Sequence, residues 1–302
     1  MIALWIPITI AAAFFQNLRS ALQKAIKGRL STMGAAYARF LYGLPFALLY
    51  LWAYTGPGGY DIPPIPWDFW LWCLAGGLSQ ILFTVVILWL FSFRSFAVGT
   101  TFSKLEVVLI AALGAVLLGD TVGPWAILAI AIGAVGTVLL AMTESKLTPG
   151  GLIRGLGERA TLIGLLCAAL LGSSVVFVRG AALALNGPDF LVTAAFTLVV
   201  VLVMQTVIMG AWFLIYDRPE LVRCFREWRR AMPVGMAGVA GSMCWFTAFT
   251  LENAAYIRAV GQIELLFTFV ASVFFFKEKV RSTEVIGILL IVTAILMIVL
   301  IR

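Results

Sequence analysis

AVGTTFSKLEVVLIAALGAVLLGDTV, residues 97–122, lies without a gap on AYIRAVGQIELLFTFVASVFFFKEKV, residues 255–280. Ala97 meets Ala255, Glu106 meets Glu264, Asp120 meets Glu278 and Val122 meets Val280. Apolar sequences match one another readily, so the coincidence of rare charges is what carries this alignment. A closely similar shift puts Arg19 and Ala21 on Arg179 and Ala181. The chain therefore reads as two copies of one unit.

Each copy is apolar enough to live in lipid. Of 302 residues, 63% are hydrophobic and 12% charged, whereas soluble domains run at about 45–50% and about 25%. A bilayer core needs about 20 apolar residues per helical span. Cutting the chain at its Pro, Gly and charge clusters gives ten such segments: 2–23, 33–54, 69–91, 97–119, 123–142, 160–183, 190–214, 232–251, 255–276 and 283–301. The first has no basic stretch before it and carries Gln16, Asn17 and Arg19 within it, so it reads as a retained span rather than a cleaved leader. Residues 1–142 form the first five-helix repeat, 143–159 a glycine-containing linker and 160–302 the second repeat. Five spans per copy is odd, so the copies have opposite orientation. The expected fold is an all-α integral membrane protein, ten transmembrane helices in two inverted five-helix repeats around a central cavity.

The basic residues sort the loops by side. Lys24, Lys27 and Arg29, then Arg94, then Lys146, Arg154 and Arg159, then Arg218, Arg223, Arg226, Arg229 and Arg230, and finally Lys277, Lys279 and Arg281 all follow odd-numbered spans. The positive-inside rule places these loops in the cytoplasm and both ends of the sequence outside. The net charge of +7 is then a topology marker and a set of contacts to anionic lipid at the cytoplasmic face. It is not a nucleic-acid stripe, because the charges are spread over short loops. The run RCFREWRR, 223–230, reads as a solvated or interfacial loop.

The chemistry left open is narrow. The chain has no histidine, which removes Ser-His-Asp and Cys-His catalysis and the commonest metal ligand. Cys73, Cys167, Cys224 and Cys244 are far apart in the sequence and sit in or beside apolar runs, so they read as core thiols. No cofactor and no metal is expected, and no Walker motif supports ATP drive.

The charges that remain lie inside spans: Arg19, Arg39, Lys104, Arg179 and Arg258, with the acids Glu106 and Glu264. Such groups are costly in lipid and face the bundle interior or a watery cavity. Glu106 and Glu264 fall about 14 Å into their spans at 1.5 Å per residue, near the midplane. Either could exchange a proton, and either could instead neutralise a neighbouring Arg or Lys. Gln16, Arg19, Ser20 and Gln23 share one face of the first span. Gly114, Gly133, Gly136, Gly235, Gly238 and Gly241 read as packing positions. Trp89, Trp245 and Phe246 are more interior than the other aromatics.

The ten spans, the inverted halves and the paired endings LLGDTV (117–122) and FFKEKV (275–280) resemble the drug/metabolite transporter superfamily, specifically its EamA-type bacterial members. In that family each half closes its fourth helix with a short acidic-basic turn. Here the turn is Gly119-Asp120-Thr121 and Lys277-Glu278-Lys279, and the first copy departs by having Asp and no basic residue. The resemblance implies a cavity lined by helices 1, 3, 4, 6, 8 and 9, with alternating access. Carried over by position, the substrate-binding candidates are Gln16, Arg19, Lys104, Glu106, Arg179, Arg258, Gln262 and Glu264; Glu106 and Glu264 are the proton-coupling candidates.

The expected function is secondary-active transport of a small anionic or zwitterionic metabolite across a bacterial inner membrane, proton-coupled or by exchange, by a monomer or homodimer. A multidrug exporter of lipophilic cations, with Trp89 and Trp245 as aromatic walls, is the alternative carrier. An integral-membrane lipid-modifying enzyme is the alternative from another class.

Overall fold

A computed structural model describes residues 4–26, 29–90, 102–144, 149–154, 159–187, 189–274 and 282–300. Among these the chain is helical, with no strand. The helices are α1 (Trp5–Ile26), α2 (Thr32–Thr55), α3 (Trp67–Leu90), α4 (Glu106–Leu118), α5 (Pro124–Glu144), α6 (Pro149–Arg154), α7 (Arg159–Leu185), α8 (Phe190–Tyr216), α9 (Arg218–Arg226), α10 (Trp228–Leu251), α11 (Ala254–Gly261), α12 (Ile263–Phe274) and α13 (Ser282–Leu300). Six contain stretches long and apolar enough to cross a membrane: Trp67–Val86, Pro124–Met142, Arg159–Leu185, Phe190–Tyr216, Trp228–Leu251 and Ser282–Leu300. Helices α1 and α2 are comparably long, 22 and 24 residues, but their polar and charged positions lower their hydropathy.

Local chemistry sets the helix ends. The Ser31 hydroxyl accepts from Gly34 N at 2.9 Å and starts α2. Asp189 accepts from Leu191 N and Val192 N at 2.8 and 3.0 Å and starts α8. Asn253 accepts from Ala255 N at 2.9 Å and starts α11. These side chains satisfy amides that no helix can satisfy internally. Gly119 closes α4 at φ 68°, a left-handed conformation that glycine adopts without strain, and Asp120 N reaches back to Gly114 O at 3.1 Å. The first of the two family-like turns is thus a helix stop. The second, Lys277-Glu278-Lys279, lies outside the described residues, as do Lys27, Arg94 and Lys146 among the loop charges.

By compactness the chain falls into two units, residues 1–81 with 177–252 and residues 82–176 with 253–302. In the first, α10 packs on both α1 and α2, and α2 packs on α8. Its core includes Tyr37, Phe40, Leu198, Met209, Phe213 and Val234. In the second, α5 packs on α13 and α4 on α11, and Leu90, Ala160, Ile163 and Cys167 form a further apolar cluster. Lipid tails are as apolar as these side chains, so close packing holds such helices together. Glycines make that packing possible. A Cβ on Gly235 would come within 2.6 Å of Tyr42 O and 2.7 Å of Gly43 N, and one on Gly136 within 2.7 Å of Gly287 O.

Helix α9 is short, basic and tied down. Glu220, 2% exposed, accepts from Ser31 N at 2.6 Å and pairs with Arg223 at 3.0 Å. Its carboxylate therefore sits at the positive N-terminus of α2.

Candidate functional site

The fourth and ninth apolar segments read as unbroken spans, yet the structure interrupts each beside its glutamate. Lys104 and Leu105 form a turn ahead of α4; Leu105 N bonds to Phe102 O at 3.1 Å and Val108 N to Leu105 O at 3.1 Å. Gln262 is the turn between α11 and α12; Gln262 N bonds to Ala259 O at 3.3 Å and Leu265 N to Gln262 O at 2.9 Å. These are i→i+3 steps, tighter than an α-helix. Each break leaves a glutamate in the first turn of the helix that follows, Glu106 in α4 and Glu264 in α12. A helix N-terminus favours negative charge there.

Arg258, in the last turn of α11, donates from Nη2 to Glu106 Oε1. The two side chains are 11% and 13% exposed. The Glu264 carboxylate acts on the same guanidinium through space, and Glu106 is the acid bonded to it. Gln262, 7% exposed, presses on α5 where Gly133 leaves room, with Oε1 only 2.9 Å from the site of an added Cβ. Lys104 is exposed in its turn.

The other unit holds the remaining expected residues. Gln16 on α1 accepts from Trp245 Nε1 at 3.0 Å. Arg19, half-buried, donates to Ser20 Oγ at 3.4 Å. Arg179, 9% exposed, donates from Nη1 to Phe249 O at 2.6 Å and to Glu252 O, both at the C-terminal end of α10. There it meets carbonyls at the negative end of the helix dipole. The expected set thus divides: Glu106, Arg258, Gln262, Glu264 and Lys104 belong to one unit, and Gln16, Arg19 and Arg179 to the other.

Arg39 on α2 was not among the expected ligands. Its stem lies against Gly238 of α10, with Cγ 3.1 Å from the position of an added Cβ, beside Arg19 Cδ at 3.5 Å. The sequence signal was available: neither α1 nor α2 contains an acidic residue that could pair with either arginine. Trp89, read as interior, is 55% exposed. Among the described residues no three His, Cys, Asp or Glu side chains are grouped to hold a metal ion.

Outside the spans, electrostatics follow burial and partners. The hydrogen bond from Arg230 Nη1, at 2.8 Å, holds the Glu227 carboxyl below the usual carboxylate range. Burial pushes the Cys224 thiol up to about 12.

Residues 158–300 match the EamA-like transporter family. Over 97 residues the chain is 31% identical to "Uncharacterized inner membrane transporter YhbE" of Escherichia coli (strain K12), a stretch covering 31% of this chain and 30% of that protein. The same identity and coverage hold for the YhbE proteins of Escherichia coli O157:H7 and Shigella flexneri. The alignment thus spans less than a third of these relatives' length. A solved structure described as "Crystal structure of protein" superimposes with TM-score 0.72 over 98% of this chain and 96% of its own, at 16% identity. That likeness is one of fold.

Proposed function

We propose that this chain, which belongs to the EamA-like transporters of the drug/metabolite transporter superfamily, is a secondary-active carrier of a small anionic or zwitterionic metabolite in a bacterial inner membrane. Two inverted five-helix repeats give the two sides alternating access to one substrate site, and proton movement or exchange drives the cycle. The family match and the transporter-named relatives point to a carrier rather than an enzyme.

The observation that carries this reading is the buried Glu106–Arg258 ion pair at two helix breaks, with the Glu264 carboxylate acting on the same guanidinium through space. Broken helices at buried charges are a recurrent transporter device, because the half-helix ends and the freed backbone groups can meet a substrate or a coupling ion. With both acids ionised the cluster carries one net negative charge; one proton neutralises it. Protonating an acid removes its claim on Arg258 and loosens the tie between α4 and α11. Lys104 and Gln262, which flank the cluster in sequence, are substrate contacts in this scheme, and Arg179 holds the end of α10. Export of lipophilic cations has less support, because Trp89 faces outward and Trp245 is engaged by Gln16.

The test is uptake of a panel of amino and organic acids into proteoliposomes under an imposed pH gradient. Glu264→Gln fixes the cluster in its one-proton charge state, so uptake loses its dependence on the gradient; Glu106→Gln also removes the bond to Arg258 and lowers uptake about tenfold or more. Unchanged uptake and pH dependence in both variants overturns the assignment.

A further inference from the structure

Each acid at α9 and its two ends is engaged within the chain, while each arginine there is exposed. Asp217 accepts from Glu220 N at 3.2 Å and caps the helix. Glu220, buried, takes Ser31 N and Arg223. Glu227 pairs with Arg230 at 2.8 Å and with Arg29 at 3.7 Å. Arg218, Arg223, Arg226, Arg229 and Arg230 are all exposed. The segment that reads as a loop at 223–230 is therefore helical over its first half, with its charges sorted by side.

The outward side is not purely polar. Val222 and Phe225 are 56% and 53% exposed, and Trp228, just past the turn at Glu227, is 46% exposed. Val222 and Phe225 stand three residues apart and so share one side of α9. The Arg229 guanidinium lies over the Trp228 ring at 5.4 Å. Exposed apolar side chains set among arginines on a short helix are the pattern of a helix lying in the plane of a membrane interface. Its depth agrees. Helix α8 ends with Trp212 and Tyr216, both exposed, their rings 5.7 Å apart, and aromatic residues at the end of a span sit at headgroup level. Only Asp217 separates Tyr216 from α9, so α9 starts at that level. It is also fixed there. Its inner side, Glu220 and Cys224, rests on the start of α2: Tyr42 Oη donates to Cys224 O at 3.0 Å, and an added Cβ at Gly34 would run into the Glu220 carboxylate.

We infer that α9 is a docking helix for anionic phospholipid: Val222, Phe225 and Trp228 enter the boundary between headgroups and acyl chains, and Arg226 and Arg229 take the headgroup phosphates. A guanidinium meets a phosphate through two parallel hydrogen bonds, and basic residues beside a membrane are drawn to its anionic lipids. The apolar side chains choose a lipid over a soluble phosphate, which offers them nothing to bury against. The inference goes beyond the carrier reading and does not depend on it. It narrows the lipid contact expected of every basic loop to one helix, and it makes Phe225 part of the site.

Thermal unfolding of the full chain in mild detergent reads the site. The probes are dihexanoyl-phosphatidylglycerol, dihexanoyl-phosphatidylcholine and sodium phosphate at matched ionic strength. A ligand of the folded state raises the melting temperature; the phosphatidylglycerol is expected to raise it by a few degrees and the other two to leave it unchanged. In Arg226→Ser and in Arg229→Ser the half-maximal phosphatidylglycerol concentration rises about fivefold. In Phe225→Ser it rises by a similar factor although no charge has changed. Arg159→Ser, which removes an exposed arginine at the start of α7, keeps the parent value. Should Phe225→Ser fail to fold, Val222→Ser reads the same loss. No response to phosphatidylglycerol, an equal response to phosphatidylcholine or phosphate, or an equal loss in Arg159→Ser overturns the proposal.

Discussion

The carbonyls of Phe249 and Glu252 stand at the end of α10, where helix geometry leaves acceptors without intrahelical donors, and Arg179 donates to both. Arg179→Gln strands these acceptors in a buried setting and is expected to cost about 2–4 kcal/mol, read as a lower melting temperature in detergent. Arg179→Lys recovers part of it. Cys224 gives a second measurement. Its thiol is fully buried and pushed up to about 12, and thiolate is the reactive form. In a chain carrying C73A, C167A and C244A, Cys224 is therefore expected to resist maleimide at pH 8 until the protein is unfolded; rapid native labelling contradicts this. Side-chain roles were legible in the sequence only as a short list. Glu106, Arg258 and Glu264 stood out by their depth in apolar runs, but the bond between Glu106 and Arg258 joins residues far apart in the chain. Spacing along one helix carries no information about it. Arg39 was visible in the sequence as a charge within a span; its packing against Gly238 of α10 was not, because the two lie far apart in the chain.

Among the elements, apolar run length recovered most of the helices and missed the two interruptions. Residues 97–119 and 255–276 are hydrophobic enough to read as continuous, and neither contains a proline. The break at Gln262 follows Gly261; the break at Lys104 follows no helix-breaking residue. Each break lies just ahead of a glutamate that the internal alignment pairs. The glycine reading can be tested where α5 crosses α13. A Cβ on Gly136 would lie 2.7 Å from Gly287 O and 2.9 Å from Leu290 Cβ, and neither atom can retreat without moving its helix. Gly136→Val is expected to destabilise by about 1–3 kcal/mol and to lower the melting temperature, whereas Gly150→Ala, which meets nothing within 4 Å, leaves it unchanged.

For the whole molecule, the uneven loop charge makes a prediction about sidedness. If the segment between α8 and α10 is cytoplasmic, cysteine at the exposed Arg226 reacts with a membrane-impermeant thiol reagent in inside-out vesicles and stays unlabelled in intact spheroplasts. Cysteine at Asp61, in the exposed segment between α2 and α3, shows the reverse. The opposite pattern overturns the orientation. Fold class was legible in the sequence because lipid imposes a composition on everything it touches; the grouping of helices was not, because each compact unit draws from both halves of the chain. That grouping has a consequence for biosynthesis. α1 emerges from the ribosome long before its main partner α10, and α5 long before α13. During translation each early helix must wait in the membrane with its packing face unfilled. Insertion therefore runs ahead of tertiary assembly, and the waiting faces are where a membrane chaperone or a quality-control protease would recognise an unfinished chain.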